Sequence, residues 1–560
     1  MKLIPKPKYA GKREGYCAPT VEPNFSLYDH IPPQSYQIEI LDGRIVLDGG
    51  DDAGLFYAEQ MLEQIKEQSG EEGLPFCLIR DQPDFLHRGY MLDISRDRVP
   101  TMEHLFHLVD CLARLRYNEL QLYTEHAFAY SKHETVWTEA SPLTGDEIEA
   151  LDAYCRERFI ELVPNQNSFG HMERWLKHAE YHHLAECPDG FIHPLSGRKP
   201  YGSVLKPNDE SLSFLDGLYT ELLPRFSSDR FNIGGDEPWD LGQGWSEEQV
   251  NERGKHAVYA DYLKRICELA EKHDVRPMVW ADVLLEHPEF IEELPDSVTP
   301  ILWGYEGDHP FDQQAAILSQ LGCPYYVAPG DSTWNSFTGR HRNMITNVQA
   351  AAAAGLKNGA SGFLMTHWGD NGHMQPWVFS LPGMVTAGLC AWNAAAFEPT
   401  ALVDKLDRFF FGETEVQASS VLLDLADIEE LIPVKILNQS FLSASLRLPL
   451  EELQKHLQSC SSDCLKAILE RCTACREKLK SADVGDAEIH RLLDEMCLAI
   501  RLLEATAMRC LGLKSGSDPQ ADSLDYADLL ADYKRVWLAR SRLGGLKDSI
   551  YQLSALSPTA

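Results

Sequence analysis

The chain has 560 residues, 44% hydrophobic and 24% charged, with 51 lysines and arginines against 85 acids and a formal charge of -34. That length exceeds what one compact core accommodates, so two or three domains are expected. The charge opposes nucleic acid and anionic membranes, which excludes both as expected partners, and it disfavours polyanionic substrates.

The opening Met1-Lys2-Leu3-Ile4-Pro5-Lys6-Pro7-Lys8 is basic but has no apolar run behind it, and no later stretch reads as long enough to span a bilayer. A cytoplasmic protein is expected. Its 14 cysteines are scattered, several within apparent helices (Cys111, Cys267, Cys497, Cys510), which suits reduced thiols better than a disulfide framework. Cys460, Cys464, Cys472 and Cys475 lie close in sequence, but the gap between the pairs is short for a zinc ribbon and the intervening residues read as helix. Buried thiols are expected there, and no metal or other cofactor is.

Residues 1 to about 35 give no clear element. Tyr36 to Ile40 alternates, Asp42-Gly43 marks a turn, and Arg44 to Leu47 alternates less cleanly. A helix from Ala53 to about Ile65 and a strand at Phe76 to Ile79 complete a small α+β domain, 1–83. From 84 to 398 the chain settles into strand, loop and amphipathic helix. Predicted strands are Gly89 to Ile94, Asn118 to Tyr123, Phe159 to Pro164, Arg230 to Gly234, Pro277 to Ala281, Pro300 to Trp303, Tyr325 to Ala328 and Gly362 to Thr366; helices include Thr101 to Arg116, Ser211 to Leu223, Glu247 to His273 and Asn343 to Leu356. This alternation is of class α/β and fits a (β/α)8 TIM barrel. The rival, a doubly wound sheet, would favour a glycine-rich loop after the first strand, where Asp93-Ile94-Ser95-Arg96 stands instead. Residues 399–560 read as an α-helical domain, packed on the barrel or on another copy in a homodimer, and no catalytic constellation is seen in it.

Barrels place chemistry at the C-terminal ends of their strands. Those ends carry Asp93 and Arg96; Glu125 and His126; Asn165, Asn167 and His171; Asp236 and Glu237; Trp280 and Asp282; Trp303, Tyr305 and Glu306; Asp331 and Trp334; and His367, Trp368 and Asp370. In Phe231-Asn232-Ile233-Gly234-Gly235-Asp236-Glu237 a short strand runs through two glycines into adjacent carboxylates. Like charges so close do not both ionise freely, leaving one proton donor and one anion, the division that cleavage of a glycosidic bond needs. The bland alternative is an acidic cap on the next helix. Trp280, Trp303 and Trp368 would together make an apolar wall able to hold a methyl group and stack on a pyranose. His126, His171 and His367 around a metal, or a silent sugar-binding protein, are the other readings.

Arg88-Gly89-Tyr90-Met91-Leu92-Asp93-Ile94-Ser95-Arg96 and Asn232-Ile233-Gly234-Gly235-Asp236-Glu237 resemble glycoside hydrolase family 20, the β-N-acetylhexosaminidases. Ala328 to Ser336 and Thr366 to His373 look like the branch of intracellular bacterial members and the animal hexosaminidase D type. The likeness covers about residues 36 to 395. It implies an exo-acting retaining enzyme that removes terminal non-reducing β-linked N-acetylhexosamine from an oligosaccharide or glycoconjugate, the substrate's 2-acetamido group attacking to form an oxazolinium ion. By that resemblance Glu237 is the acid and base, Asp236 orients the acetamide, and Arg88 binds O3 and O4. Trp280, Trp303 and Trp368 box the methyl, Asp370 binds O4 or O6, and His171 supports the acidic pair. Two departures stand out: Asp370 where many members have glutamate, and Trp334 near the point where many have a tyrosine holding the acetamide oxygen, for which Tyr305 is the substitute. Whether N-acetylglucosamine or N-acetylgalactosamine is preferred stays open.

Overall fold

A computed structural model describes residues 2–194, 196–412, 417–480, 485–516 and 525–557. The N-terminal module is a sheet of β1 (Tyr9–Cys17), β2 (Pro23–Leu27), β3 (Tyr36–Leu41), β4 (Arg44–Gly49) and β5 (Leu74–Asp81), in the order β1-β5-β3-β4-β2. β1 and β2 fall where the sequence predicts no element. Nearly all their side chains are at least partly exposed, so the alternation that one-sided burial imposes is missing. β3 and β4 form the expected hairpin, with Gly43 at φ 59° in its turn. Helix Asp52–Glu67 is capped by Asp51, whose carboxylate accepts the Gly54 N–H at 2.7 Å, and it buries Tyr57, Ala58, Met61, Leu62 and Ile65.

The barrel strands are β6 (His87–Asp93), β7 (Glu119–Tyr123) and β8 (Glu161–Val163), then, after a small hairpin of β9 (Phe191–His193) and β10 (Gly197–Lys199), β11 (Arg230–Asn232), β12 (Arg276–Trp280), β13 (Thr299–Trp303), β14 (Tyr326–Ala328) and β15 (Gly362–His367). They pair in parallel in the order β11-β12-β13-β14-β15-β6-β7-β8. The two ends join where Asn232 N–H donates to the Pro164 carbonyl and Gln166 N–H to the Asn232 carbonyl, both at 2.9 Å, which closes the barrel. The predicted helix Glu247 to His273 is two, Glu247–Arg253 and Lys255–Glu271, because Gly254 leaves the helical region at φ 85°.

The barrel interior is layered. At the N-terminal ends of the strands Arg230 pairs with Glu119 at 2.6 Å and Glu161 at 2.5 Å, so the buried guanidinium is matched by carboxylates. Met91, Met278, Ile301 and Leu364 pack in the same interior as Tyr123, Trp280, Tyr305, Trp334 and Trp368, which lie at or beyond the C-terminal ends of the strands. One helical stretch, Trp377–Ala396, is long and apolar enough to cross a bilayer, contrary to the expectation of none; 89% of its most apolar window is buried inside the protein.

The expected C-terminal helices include Ala418–Ala426, Ser462–Leu479, Ala487–Ser515 and Tyr526–Leu538. They pack on the barrel. Thr101 N–H donates to the Arg540 carbonyl at 2.9 Å, Arg542 N–H to the Val99 carbonyl at 2.8 Å, and Val378 N–H to the Glu495 carboxylate at 2.7 Å. Cys460, Cys472 and Cys475 are buried and Cys464 half-buried; among the described residues no group of three or more His, Cys, Asp or Glu is arranged to hold a metal ion.

Candidate active site

β11 ends at Asn232, two residues earlier than its apolar sequence suggests, and the backbone turns through Gly234 (φ 76°) and Gly235 (φ 95°) into Asp236 and Glu237. A Cβ on Gly234 would meet Asn167 Oδ1 at 2.2 Å, so only glycine fits. Glu237 itself has φ 48°, as expected if neighbouring acids are to serve one cavity rather than opposite faces of a strand. The next helix starts at Glu247, so the pair caps nothing.

Both acids line a cavity of about 120 Å³ together with Arg96, His171, Trp280, Trp303, Tyr305, Trp334, Trp368, Asp370 and Asn438. Every residue that the family resemblance singles out is therefore in the cavity except one. Arg88 stands at the start of β6, fully buried at the opposite end of the barrel. Its guanidinium donates to the carbonyls of Phe85 and Arg116 and to the Tyr57 hydroxyl and lies over Trp392, so it joins the N-terminal module to the barrel and lies outside the cavity, where the resemblance would have it bind O3 and O4. A strand of seven residues separates its ends by some 20 Å. The arginine in the cavity is Arg96, just past the strand's other end.

Arg96 is fixed by Asp93 at 3.3 Å and Glu125 at 3.2 Å and lies over the rings of Tyr123 and Trp368. His171 Nε2 is 3.2 Å from Asp236 Oδ2 and 3.7 Å from Glu237 Oε2, while Nδ1 faces an Arg96 nitrogen at 3.3 Å. Burial opposes charge on the imidazole, but the Asp236 carboxylate outweighs it and lifts the pKa to about 10, with Arg96 working against the lift. The Arg96 contact is a hydrogen bond only when Nδ1 is unprotonated. In the charged ring and in that neutral tautomer alike, Nε2 carries a proton aimed at Asp236. Asp236 Oδ1 is buried with no hydrogen-bond partner.

The aromatic wall forms as expected. Trp280 and Trp368 have ring centroids 6.0 Å apart, Tyr305 stacks on Trp303 at 5.1 Å, and Trp334 meets Tyr305 edge-on at 5.1 Å. Burial pushes the Tyr305 phenol well above its usual range, so it stays a neutral donor. Asp370, raised to about 6 by burial against the pull of Arg96, accepts from Asn335 Nδ2 at 2.9 Å.

The three histidines of the metal reading are dispersed. His126 lines a neighbouring cavity with Asp97 and Arg174, and His367 is buried against Asp331 at 2.5 Å and His373 at 3.1 Å.

Three residues were named without a role or missed: Arg96, described above, Asp282 and Asn438. Asp282 accepts the Glu237 N–H and the Trp303 indole N–H, both at 3.3 Å, bracing the acid and one wall. Burial, with Asp236 and Glu237 nearby, raises it to about 7. A raised carboxyl contributes stability that is fully present below its unfolded value near 4 and is lost as pH rises through 7. Asp282→Asn is expected to lose less melting temperature between pH 4 and 7 than the parent chain; equal slopes in thermal melts would refute the assignment. Asn438 comes from the C-terminal domain, where no strand-end rule points.

Two models of one family match the chain: Glycosyl hydrolase family 20, catalytic domain, over residues 85–357, and Glycosyl hydrolase family 20, domain 2, over 4–82. Homo sapiens hexosaminidase D is 23% identical over 383 residues, 64% of this chain and 74% of that protein. A β-hexosaminidase of Porphyromonas gingivalis is 25% identical over 261 residues, and there the match spans only 33% of the relative's length. A Flavobacterium johnsoniae chitobiase structure superposes with a TM-score of 0.62 over 98% of this chain and 99% of that one; at 17% identity this speaks for the fold. With both domain models matched from residue 4 to residue 357 and paired acids at the end of β11, the chain belongs to glycosyl hydrolase family 20 and is a glycoside hydrolase.

Proposed function

We propose that the enzyme is an exo-acting, retaining β-N-acetylhexosaminidase that removes terminal β-linked N-acetylglucosamine by substrate-assisted catalysis. The observation that carries this reading is Asp236 Oδ1, a buried acceptor without a partner beside Glu237 and under an apolar wall. A buried unsatisfied acceptor is costly. An acetamide N–H would satisfy it, with the methyl against Trp280, Trp303 and Trp368 and the carbonyl oxygen near the Tyr305 hydroxyl. Glu237 then protonates the departing oxygen as the acetamide oxygen bonds to C1 and the C1–leaving-group bond breaks. The oxazolinium charge is balanced by Asp236, which His171 Nε2–H holds in place. Water activated by the Glu237 carboxylate reopens the ring from the face the leaving group vacated, so configuration is retained. Arg96 and Asp370 are placed to bind ring hydroxyls.

The test compares 4-nitrophenyl β-glycosides of N-acetylglucosamine, N-acetylgalactosamine and glucose, with the thiazoline of N-acetylglucosamine as inhibitor. Cleavage of the acetamido sugars alone and strong thiazoline inhibition are expected. Equal cleavage of the glucoside, or indifference to the thiazoline, would sink the mechanism. We also propose a cytoplasmic location, supported by the 14 unpaired cysteines, most of them buried; recovery of activity in a secreted fraction would oppose it.

A further inference from the structure

The cavity has one wall that the barrel does not supply. Ile436 to Gln439 make a tight turn, Gln439 N–H donating to the Ile436 carbonyl at 3.3 Å. Its tip points two ways: Leu437 is 70% exposed, while Asn438 lines the catalytic cavity. The turn is anchored on both sides. Asn438 N–H donates to Glu306 Oε1 at 2.9 Å, and that carboxylate is held in turn by Arg340 at 2.7 Å. Ser440 N–H donates to the Asn335 carbonyl at 3.0 Å, and Arg447 reaches Asn335 Oδ1 at 3.3 Å; Asn335 is the residue that orients Asp370.

Asn438 adopts φ 55°, a left-handed conformation that asparagine tolerates better than most residues. Its Oδ1 is buried without a hydrogen-bond partner. A turn clamped this firmly, carrying an unsatisfied amide oxygen to the edge of the cavity that holds Asp236 and Glu237, is arranged for a ligand. Its anchors lie beyond β13 and β14, away from the β11 loop where Glu237 meets the leaving group.

We propose that Asn438 is a substrate-contacting residue: its amide hydrogen-bonds a hydroxyl of the bound sugar, so the helical domain completes the active site. This rests on the hexosaminidase reading above. The amide both donates and accepts, which complements the carboxylate of Asp370 and the donor-only guanidinium of Arg96.

Asn438→Gly removes the side chain while keeping the left-handed backbone. Loss of one hydrogen bond should lower kcat/KM on 4-nitrophenyl N-acetylglucosaminide about tenfold. KM should rise, and inhibition by free N-acetylglucosamine should weaken by a similar factor. The loss should be the same for different aryl leaving groups. Leu437→Gly, in the same turn but outside the cavity, should leave kcat/KM unchanged. An unaffected N438G enzyme overturns the inference, as does an L437G loss of equal size, which would make the effect one of loop order. A crystal structure of the parent enzyme with N-acetylglucosamine decides independently of variant folding: the amide within about 3.2 Å of a sugar hydroxyl supports the contact, and separation beyond about 4 Å overturns it. If the parent enzyme fails to cleave the glycoside, the functional reading fails; turnover by the parent with N438G unaffected rejects this inference alone.

Discussion

Glu237→Gln is expected to lower kcat/KM on disaccharide and alkyl glycosides by about 10²–10⁴-fold, the usual worth of a positioned general acid. Glutamine keeps the size of the side chain and cannot deliver the proton. Activated aryl glycosides, whose phenolates depart with little help, should lose about tenfold or less. kcat/KM is the right quantity because it reports steps up to the first irreversible one, so the second role proposed for Glu237, activating water, does not enter it. The geometry supports assigning the proton to this acid rather than its neighbour. Glu237 keeps 35% of its side chain exposed to the cavity, whereas Asp236 is 10% exposed and tied through Oδ2 to His171. Equal losses on both substrate classes would contradict an acid role.

Asp236→Asn should lower kcat by about 10²–10³-fold with a smaller change in KM, since the lost negative charge matters most when the sugar becomes cationic. A change confined to KM would show that Asp236 acts only in binding. The same variant has a second readout. Asp236 is what lifts His171 to about 10 against burial and the Arg96 charge, so the substitution should drop the His171 pKa in an NMR titration. A histidine that titrates unchanged would mean that the Asp236–His171 pair is not the source of the shift.

Much of this architecture is legible in the chain because burial writes itself into sequence. All eight barrel strands fall within about two residues of their predicted bounds, since strands covered on both faces read as apolar runs between glycines and polar loops. β1 and β2 escaped detection for the converse reason: strands with little burial carry no such pattern. The breaks around the acidic pair also follow from local chemistry, because Gly234 and Gly235 permit positive φ where few other residues do.

Local periodicity and a fixed rule about where barrels place their chemistry make the barrel, the Asp236-Glu237 pair at its mouth and the aromatic residues at its strand ends readable from the residues alone. The remainder depends on how the folded segments pack. Arg88 and Arg96 stand eight positions apart at opposite ends of one strand; the strand-end rule already points to Arg96 for the cavity, and only the packed structure shows that Arg88 braces the N-terminal module. Asn438 lies about 200 residues beyond Glu237 in a helical domain, and it reaches the cavity through a turn clamped to Glu306 and Asn335. Contacts of that range depend on how domains pack, and packing between distant segments leaves no periodic trace in the residues that make it.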